Sequence, residues 1–288
     1  MKAVFRHELN SYFTSLTAYV FGAFLLLFAG IYTLAYNLNN ALVNFEYALA
    51  GTSFIFVVAI PVLTMRVLTE ERRQKTDQLL YSLPISMTQV VLGKYFAMLV
   101  VLLIPTAVMG VYPLILSAYG NVYLPASYSS LLGLFLMGAA LIAIGTYISS
   151  VTENLAVSAG LCFVVMLLNY FLSELASFVS ADAFSSLAAL AVAALVVSVV
   201  VYIMTKNGFA ALMTAAVSVG GLALAYGYNK NAFSGLFGKI MEQLSLYERF
   251  YDIVYGVFDL TAVVYFLSVA GVFLFMSVQS MEKRRWSE

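Results

Sequence analysis

Charged side chains are scarce in this sequence: 14 Lys and Arg and 14 Asp and Glu among 288 residues, or 10%. A water-soluble domain carries about 25%. A chain of this length cannot cover a water-facing surface with so few charges, so lipid has to serve as its solvent. Positive and negative charges cancel, which removes the basic field that a nucleic-acid partner needs. A single cysteine, Cys162, rules out a disulfide framework. With only one histidine, His7, a Cys/His metal site has too few ligands.

What is present is apolar: 63% hydrophobic residues and a mean hydropathy of +0.95. Lys2 and Arg6 precede the first apolar run, as in a signal peptide. The run from Leu16 to Tyr36 exceeds the roughly 7–15 residues of a signal core, and no small-x-small cleavage site follows, so it reads as a retained first span. A bilayer core of about 30 Å takes about 20 apolar residues per helix. Eight segments meet that requirement: 16–36, 49–66, 95–117, 129–149, 155–176, 184–204, 208–228 and 260–281. Tyr119-Gly120-Asn121 and Pro125 split the charge-free stretch from Tyr95 to Thr152, and Thr205-Lys206-Asn207-Gly208 makes a tight turn between the sixth and seventh segments. The expectation is an all-α polytopic membrane protein with about eight transmembrane helices, six plus an extra hairpin, forming a single domain over residues 1–288.

Loop charges then orient the spans. Lys2, Arg6, Arg66, Arg72, Arg73, Lys75, Lys94, Lys206, Lys283, Arg284 and Arg285 fall on one side, against Lys230, Lys239 and Arg249 on the other. By the positive-inside bias the first side is cytoplasmic and holds both termini, with the protein in the cell membrane.

Three stretches lie outside the spans. Residues 1–15 place Phe5, Leu9, Tyr12 and Leu16 on one helical face, as an interfacial helix in the headgroup plane does. Residues 66–94 read as a capped helix pair: Glu71 and Lys75 stand i,i+4, Leu79, Leu80 and Leu83 form an apolar patch, Pro84 stops the helix, and Ser86 with Gln89 opens the next one. A mere connector needs only a few residues, so this loop predicts a docking surface. Ser150 with Glu153 suggests a second cap in the turn before residue 155. In residues 229–259, Ile240, Leu244, Tyr247, Tyr251, Val254 and Phe258 share one face of an amphipathic helix on the outer leaflet.

No catalytic or metal constellation stands out. Gly93-Lys94 and Gly238-Lys239 lack the rest of a phosphate-binding loop, so ATP is not bound by that motif. Inside or beside spans, Pro61, Asn169 and Glu174 are the candidates for a transport path.

The order of these features resembles the type-2 permeases of ABC transporters, the membrane subunits of ATP-driven exporters. The matching residues are Glu70-Glu71-Arg72, Lys75-Thr76, Leu79-Leu80, Ser82-Leu83-Pro84-Ile85-Ser86 and Leu92-Gly93-Lys94. Leu244-Ser245-Leu246, Arg249-Phe250, Gly256 to Leu260 and Val263 to Ser268 are similar to the subgroup akin to gliding-motility permeases. The resemblance implies that Glu70, Glu71, Arg72, Arg73, Lys75, Thr76, Asp77, Leu79, Leu80, Leu83 and Pro84 form a coupling helix fitting a cleft in a cytoplasmic ATPase. Thr152, Glu153 and Asn154 would form a second contact. It also implies a second permease copy or homologue, with ATP and Mg bound by the partner ATPases. A path lined mainly by Phe, Tyr, Leu and Met suggests a hydrophobic or amphiphilic cargo. A gradient-driven carrier or channel, or a scaffold recruiting a cytoplasmic partner, is the competing reading.

Overall fold

The computed structural model describes residues 1–40, 42–75, 85–205, 207–256 and 259–285, and among them no strand occurs. The protein is an all-α polytopic membrane protein. The chain folds as two compact units, one of residues 1–170 and 249–288 and the other of residues 171–248.

The first unit begins with α1 (Lys2–Thr14), α2 (Thr17–Thr33) with a π-helical extension (Leu34–Asn39), α3 (Glu46–Ser53) and α4 (Phe56–Thr64). A short α5 (Thr69–Arg73) precedes α6 (Met87–Met109), α7 (Tyr112–Ser117), α8 (Leu124–Val151) and α9 (Leu155–Tyr170). After the second unit the chain returns in the latter part of α14 (Leu246–Val254) and in α15 (Leu260–Arg285).

Four stretches are long and apolar enough to cross a membrane: Thr17–Asn39, Met87–Ser117, Leu124–Val151 and Leu260–Arg285. A fifth is the bent pair Glu46–Ser53 and Phe56–Arg73, which meet at 55°. The other three expected spans hold apolar helices whose fully described stretches are Leu155–Tyr170, Ala183–Val196 and Leu212–Tyr228. Among the described residues, length and apolarity support four or five crossings. The 55° bend lies upstream of Pro61, which α4 runs through. The Thr52 hydroxyl donates to Ala48 O at 2.7 Å and the Ser53 hydroxyl to Ala50 O at 2.6 Å. Such back-bonding competes with the helical ladder and bends it.

Helix α8 is the axle of the first unit. It packs along α15 and also against α4 and α6, and it is the most buried of the four long apolar helices. Its small residues explain the close approach. A Cβ on Gly138 would sit 2.8 Å from Leu102 Cδ2 and 3.1 Å from Phe56 Cε2, so these helices touch nearly backbone to side chain, as small residues permit in membranes.

In the second unit α10 (Leu172–Ser177) is followed by α11 (Ala183–Thr205) and α12 (Gly208–Tyr228), which pack on one another as a hairpin. Asn207 Oδ1 accepts from the Phe209 N–H at 3.0 Å and so starts α12. A 3₁₀ turn (Lys230–Phe233) and α13 (Leu236–Leu244) complete the unit. The expected continuous helix over residues 229–259 is therefore broken. Gly235 takes left-handed φ of 68°, and Ser245 starts a new helix by accepting the Glu248 N–H at 3.1 Å. The break rotates the face: Leu244 is half exposed, whereas Phe250 and Ile253 are buried and lie 3.4 and 3.0 Å from where a Gly133 Cβ would stand. Phe258 lies outside the described residues.

Candidate functional site

Helix α1 forms as expected, but its inner face includes a charge. Val4, Glu8 and Tyr12 follow one another at i,i+4 along the side facing α6. Gly93 admits this contact: a Cβ there would stand 3.1 Å from Val4 Cβ and 3.3 Å from the Phe5 amide nitrogen. The next residue, Lys94, is 2% exposed. Its Nζ lies 2.6 Å from Glu8 Oε1 and 2.7 Å from Glu71 Oε1. An ammonium this deep is costly unless paired, and here two carboxylates from α1 and α5 meet it. Tyr12 donates a long hydrogen bond to Leu63 O at 3.5 Å, and burial pushes its phenol well above the usual range. The arrangement fastens α1, α5 and α6 at one point.

Sequence reasoning counted Lys94 as a loop charge and as part of the family resemblance, not as the centre of an ion group. The signal was present in two places: a glutamate interrupting the i,i+4 row of α1, and a glycine directly before the lysine. The expected Glu71–Lys75 pair is corrected accordingly. Glu71 turns to Lys94, and Lys75 lies beyond the end of α5, exposed and with φ of 55°.

A second fastening joins α5 to the end of α8. The Ser149 hydroxyl oxygen accepts the Leu68 N–H at 3.0 Å and the Thr69 N–H at 3.1 Å, supplying partners for two donors at the start of α5 that no helical carbonyl reaches. The Thr69 hydroxyl lies 3.0 Å from the Ser149 hydroxyl and 3.2 Å from Ser149 O. Arg72 Nη1 donates to Thr152 O at 3.4 Å. Thr69 and Ser149 are fully buried. Ser149→Ala is expected to cost about 2 kcal/mol, because it leaves two buried N–H groups without an acceptor. The thermal unfolding midpoint measures the loss, and Ser149→Thr, which keeps the hydroxyl, is expected to lose less.

The turn after α8 is held from another side. Arg284 Nη1 lies 2.8 Å from Glu153 Oε1, and the Ser280 hydroxyl donates to Ser150 O at 3.2 Å. Ser150 is not the cap expected there. It sits inside α8 and donates to Tyr147 O at 2.7 Å, while Asn154 caps α9 by accepting the Ala156 N–H at 2.9 Å. Helix α8 runs on through Ser150 to Val151 and α9 starts only at Leu155, which moves the capping role to Asn154. Ser86 does cap α6, accepting the Gln89 N–H at 3.3 Å.

The described residues of the first expected contact segment lie beside the second. Arg73 from α5 lines a cavity of about 650 Å³ with Glu153 and Asn154, and Arg73 is exposed. Glu70 is half-buried and Arg72 is buried against the turn. Thr76, Asp77, Leu79, Leu80, Leu83 and Pro84 lie outside the described residues. Of the path candidates, Pro61 is buried in α4 and Asn169 half-buried near the end of α9, both in the first unit; Glu174 is exposed on α10 in the second.

This geometry accompanies a family match. A family model described as an ABC-2 family transporter protein matches residues 3–263. The chain belongs to the ABC-2 transporter family. It is thus a membrane component of an ABC transporter, a permease and not itself the ATPase. The matched stretch of the permease runs from α1 into α15 and contains both fastenings described above, Lys94 with its carboxylates and Ser149 with Thr69. The Arg284–Glu153 contact draws one partner from beyond it. No curated protein matches this permease.

Proposed function

We propose that this permease receives mechanical work from separate ABC ATPase subunits through the surface built from α5, the loop after it and the α8–α9 turn. ATP and Mg bind to the ATPases. A second permease, identical or homologous, completes the assembly, and a hydrophobic or amphiphilic cargo leaves across the cytoplasmic membrane. In this orientation both termini and the Lys94 end of the first unit face the cytoplasm.

The observation that carries the reading is the welding of the two contact segments. Thr69, Arg72, Ser149 and Thr152 share buried hydrogen bonds, and Lys94 ties the same α5 to α1 and α6. A push on this block moves several helices together, as a rigid-body switch between packed states requires. A flexible connector would absorb the push.

Arg73 is the probe of choice, because it is exposed at the shared cavity and makes none of the block's buried contacts, whereas Glu71 is committed to Lys94. With the ATPase co-purified and reconstituted, Arg73→Glu is expected to lower permease-stimulated ATP hydrolysis at least fivefold. The ATPase's basal rate and the permease's melting midpoint stay unchanged. Full stimulation with residues 70–83 scrambled, or digestion of that loop by protease from outside sealed cells, would overturn the proposal.

A further inference from the structure

At the end of the first unit remote from Lys94, a buried carboxylate stands with half of its acceptor capacity unused. The π-helical turn Leu34–Asn39 buries Asn37, whose Nδ2 donates to Leu42 O at 2.7 Å and Asn44 O at 3.1 Å. These bonds pin the connection to α3 and deliver Glu46 as the first residue of that helix. Glu46 is 3% exposed. Ser127 donates its hydroxyl to Oε1 at 3.2 Å, and no donor among the described residues reaches Oε2. Buried carboxylates without hydrogen-bond partners are costly and are kept where something uses them.

Glu46 lines a cavity of about 740 Å³, within the range of small-molecule sites. Tyr47, Tyr123 and Tyr128 also line it, and all three rings are partly open, Tyr123 at 70% exposure. The Tyr128 hydroxyl donates to Gly110 O at 3.1 Å, which fixes that ring in place. Leu132 and Val254 add apolar wall, and none of the lining residues is basic. The wall therefore offers one negative charge, aromatic faces and apolar surface.

We propose that this cavity binds the primary ammonium group of an amphiphilic or aralkyl ligand, with Glu46 as its counter-ion. A turn of the Glu46 side chain that brings Oε2 to the cavity lets an ammonium N–H supply the donor it lacks; the ligand's charge is attracted to the tyrosine faces, and the apolar remainder covers Leu132 and Val254. Anions are turned away by the unopposed carboxylate. The proposal goes beyond the permease reading and needs no ATPase, so its failure leaves that reading untouched.

The test uses the full chain in lipid nanodiscs. Ser129 lines the same cavity and is half-buried, while the native Cys162 is buried. Ser129→Cys provides a thiol whose maleimide labelling reports occupancy. Phenethylamine is expected to slow labelling, and 2-phenylethanol, matched in shape but uncharged, to need at least tenfold higher concentration for the same protection. Adding Glu46→Gln is expected to abolish that difference. The amine-versus-alcohol comparison requires no change at position 46, so it stands even where the Gln variant folds poorly. Absence of protection by the amine, equal protection by amine and alcohol, or an undiminished preference in a folded Glu46→Gln protein would each overturn the proposal.

Discussion

Replacing Lys94 by methionine is expected to destabilise the protein by roughly 3–4 kcal/mol and to loosen α1 selectively. Methionine matches the apolar stem of lysine, so packing changes little. What disappears is the cation 2.6 Å from Glu8 and 2.7 Å from Glu71, leaving two carboxylates facing each other. Breaking a buried pair by removing one partner costs about 3–5 kcal/mol. The two glutamate side chains keep 17% and 23% exposure, so they can turn partly to water, and the lower end of that range applies. Hydrogen exchange over residues 2–14 is expected to rise while α8 stays protected. Adding Glu8→Gln and Glu71→Gln is expected to recover most of the loss, since replacing a whole buried ion group by neutral isosteres is often nearly neutral. A Lys94→Met protein as stable as the parent, with α1 still protected, would show that the ammonium has no net stabilising role there.

Gly145→Ala is expected to cost about 3 kcal/mol although it adds a single methyl group. A Cβ at this position of α8 would overlap Thr64 Oγ1 and lie 2.8 Å from Thr64 Cβ. Thr64 cannot swing aside freely: it is buried in α4, and its hydroxyl donates to Ile60 O at 2.9 Å. Relief requires α4 and α8 to separate, and overpacking of this kind costs about 1–3 kcal/mol. Thr64→Ala in the same chain removes Oγ1 and Cγ2, two of the three nearest atoms, and is expected to return part of the loss. Melting midpoints of the single and double variants decide it: additive losses would mean the two residues do not meet.

The overall class was legible because apolar length and charge scarcity are one-dimensional properties. The same holds for Ser86, whose cap depends on residues three apart, and for the helical state of residues 2–14, which is a local property. Local logic misled where two local solutions compete. Ser150 has the pattern of a cap, yet α8 runs on past it because Ser149 on the next face is engaged by α5. Glu71 has a suitable partner at i+4, yet a buried ammonium 23 positions further along the chain holds it more strongly. Leu244 continues an apolar row that Ser245 interrupts. The Lys94–Glu8 and Leu68–Ser149 contacts join residues 86 and 81 positions apart, and no periodicity reports such pairings. Glu46 was invisible for a related reason. Its carboxylate looks like an ordinary helix-start acid until the π-helical turn and Ser127 enclose it.

The spacing of the Lys94 contact also sets a timetable for biogenesis. Glu8 emerges from the ribosome 86 residues before its partner, so the amino-terminal segment and the first crossings enter the bilayer before the residue that anchors them has been translated. Until α6 arrives, both carboxylates have to stay hydrated. Arrival of one lysine then closes two links together, so late insertion of that helix locks in an assembly order that earlier segments cannot complete by themselves.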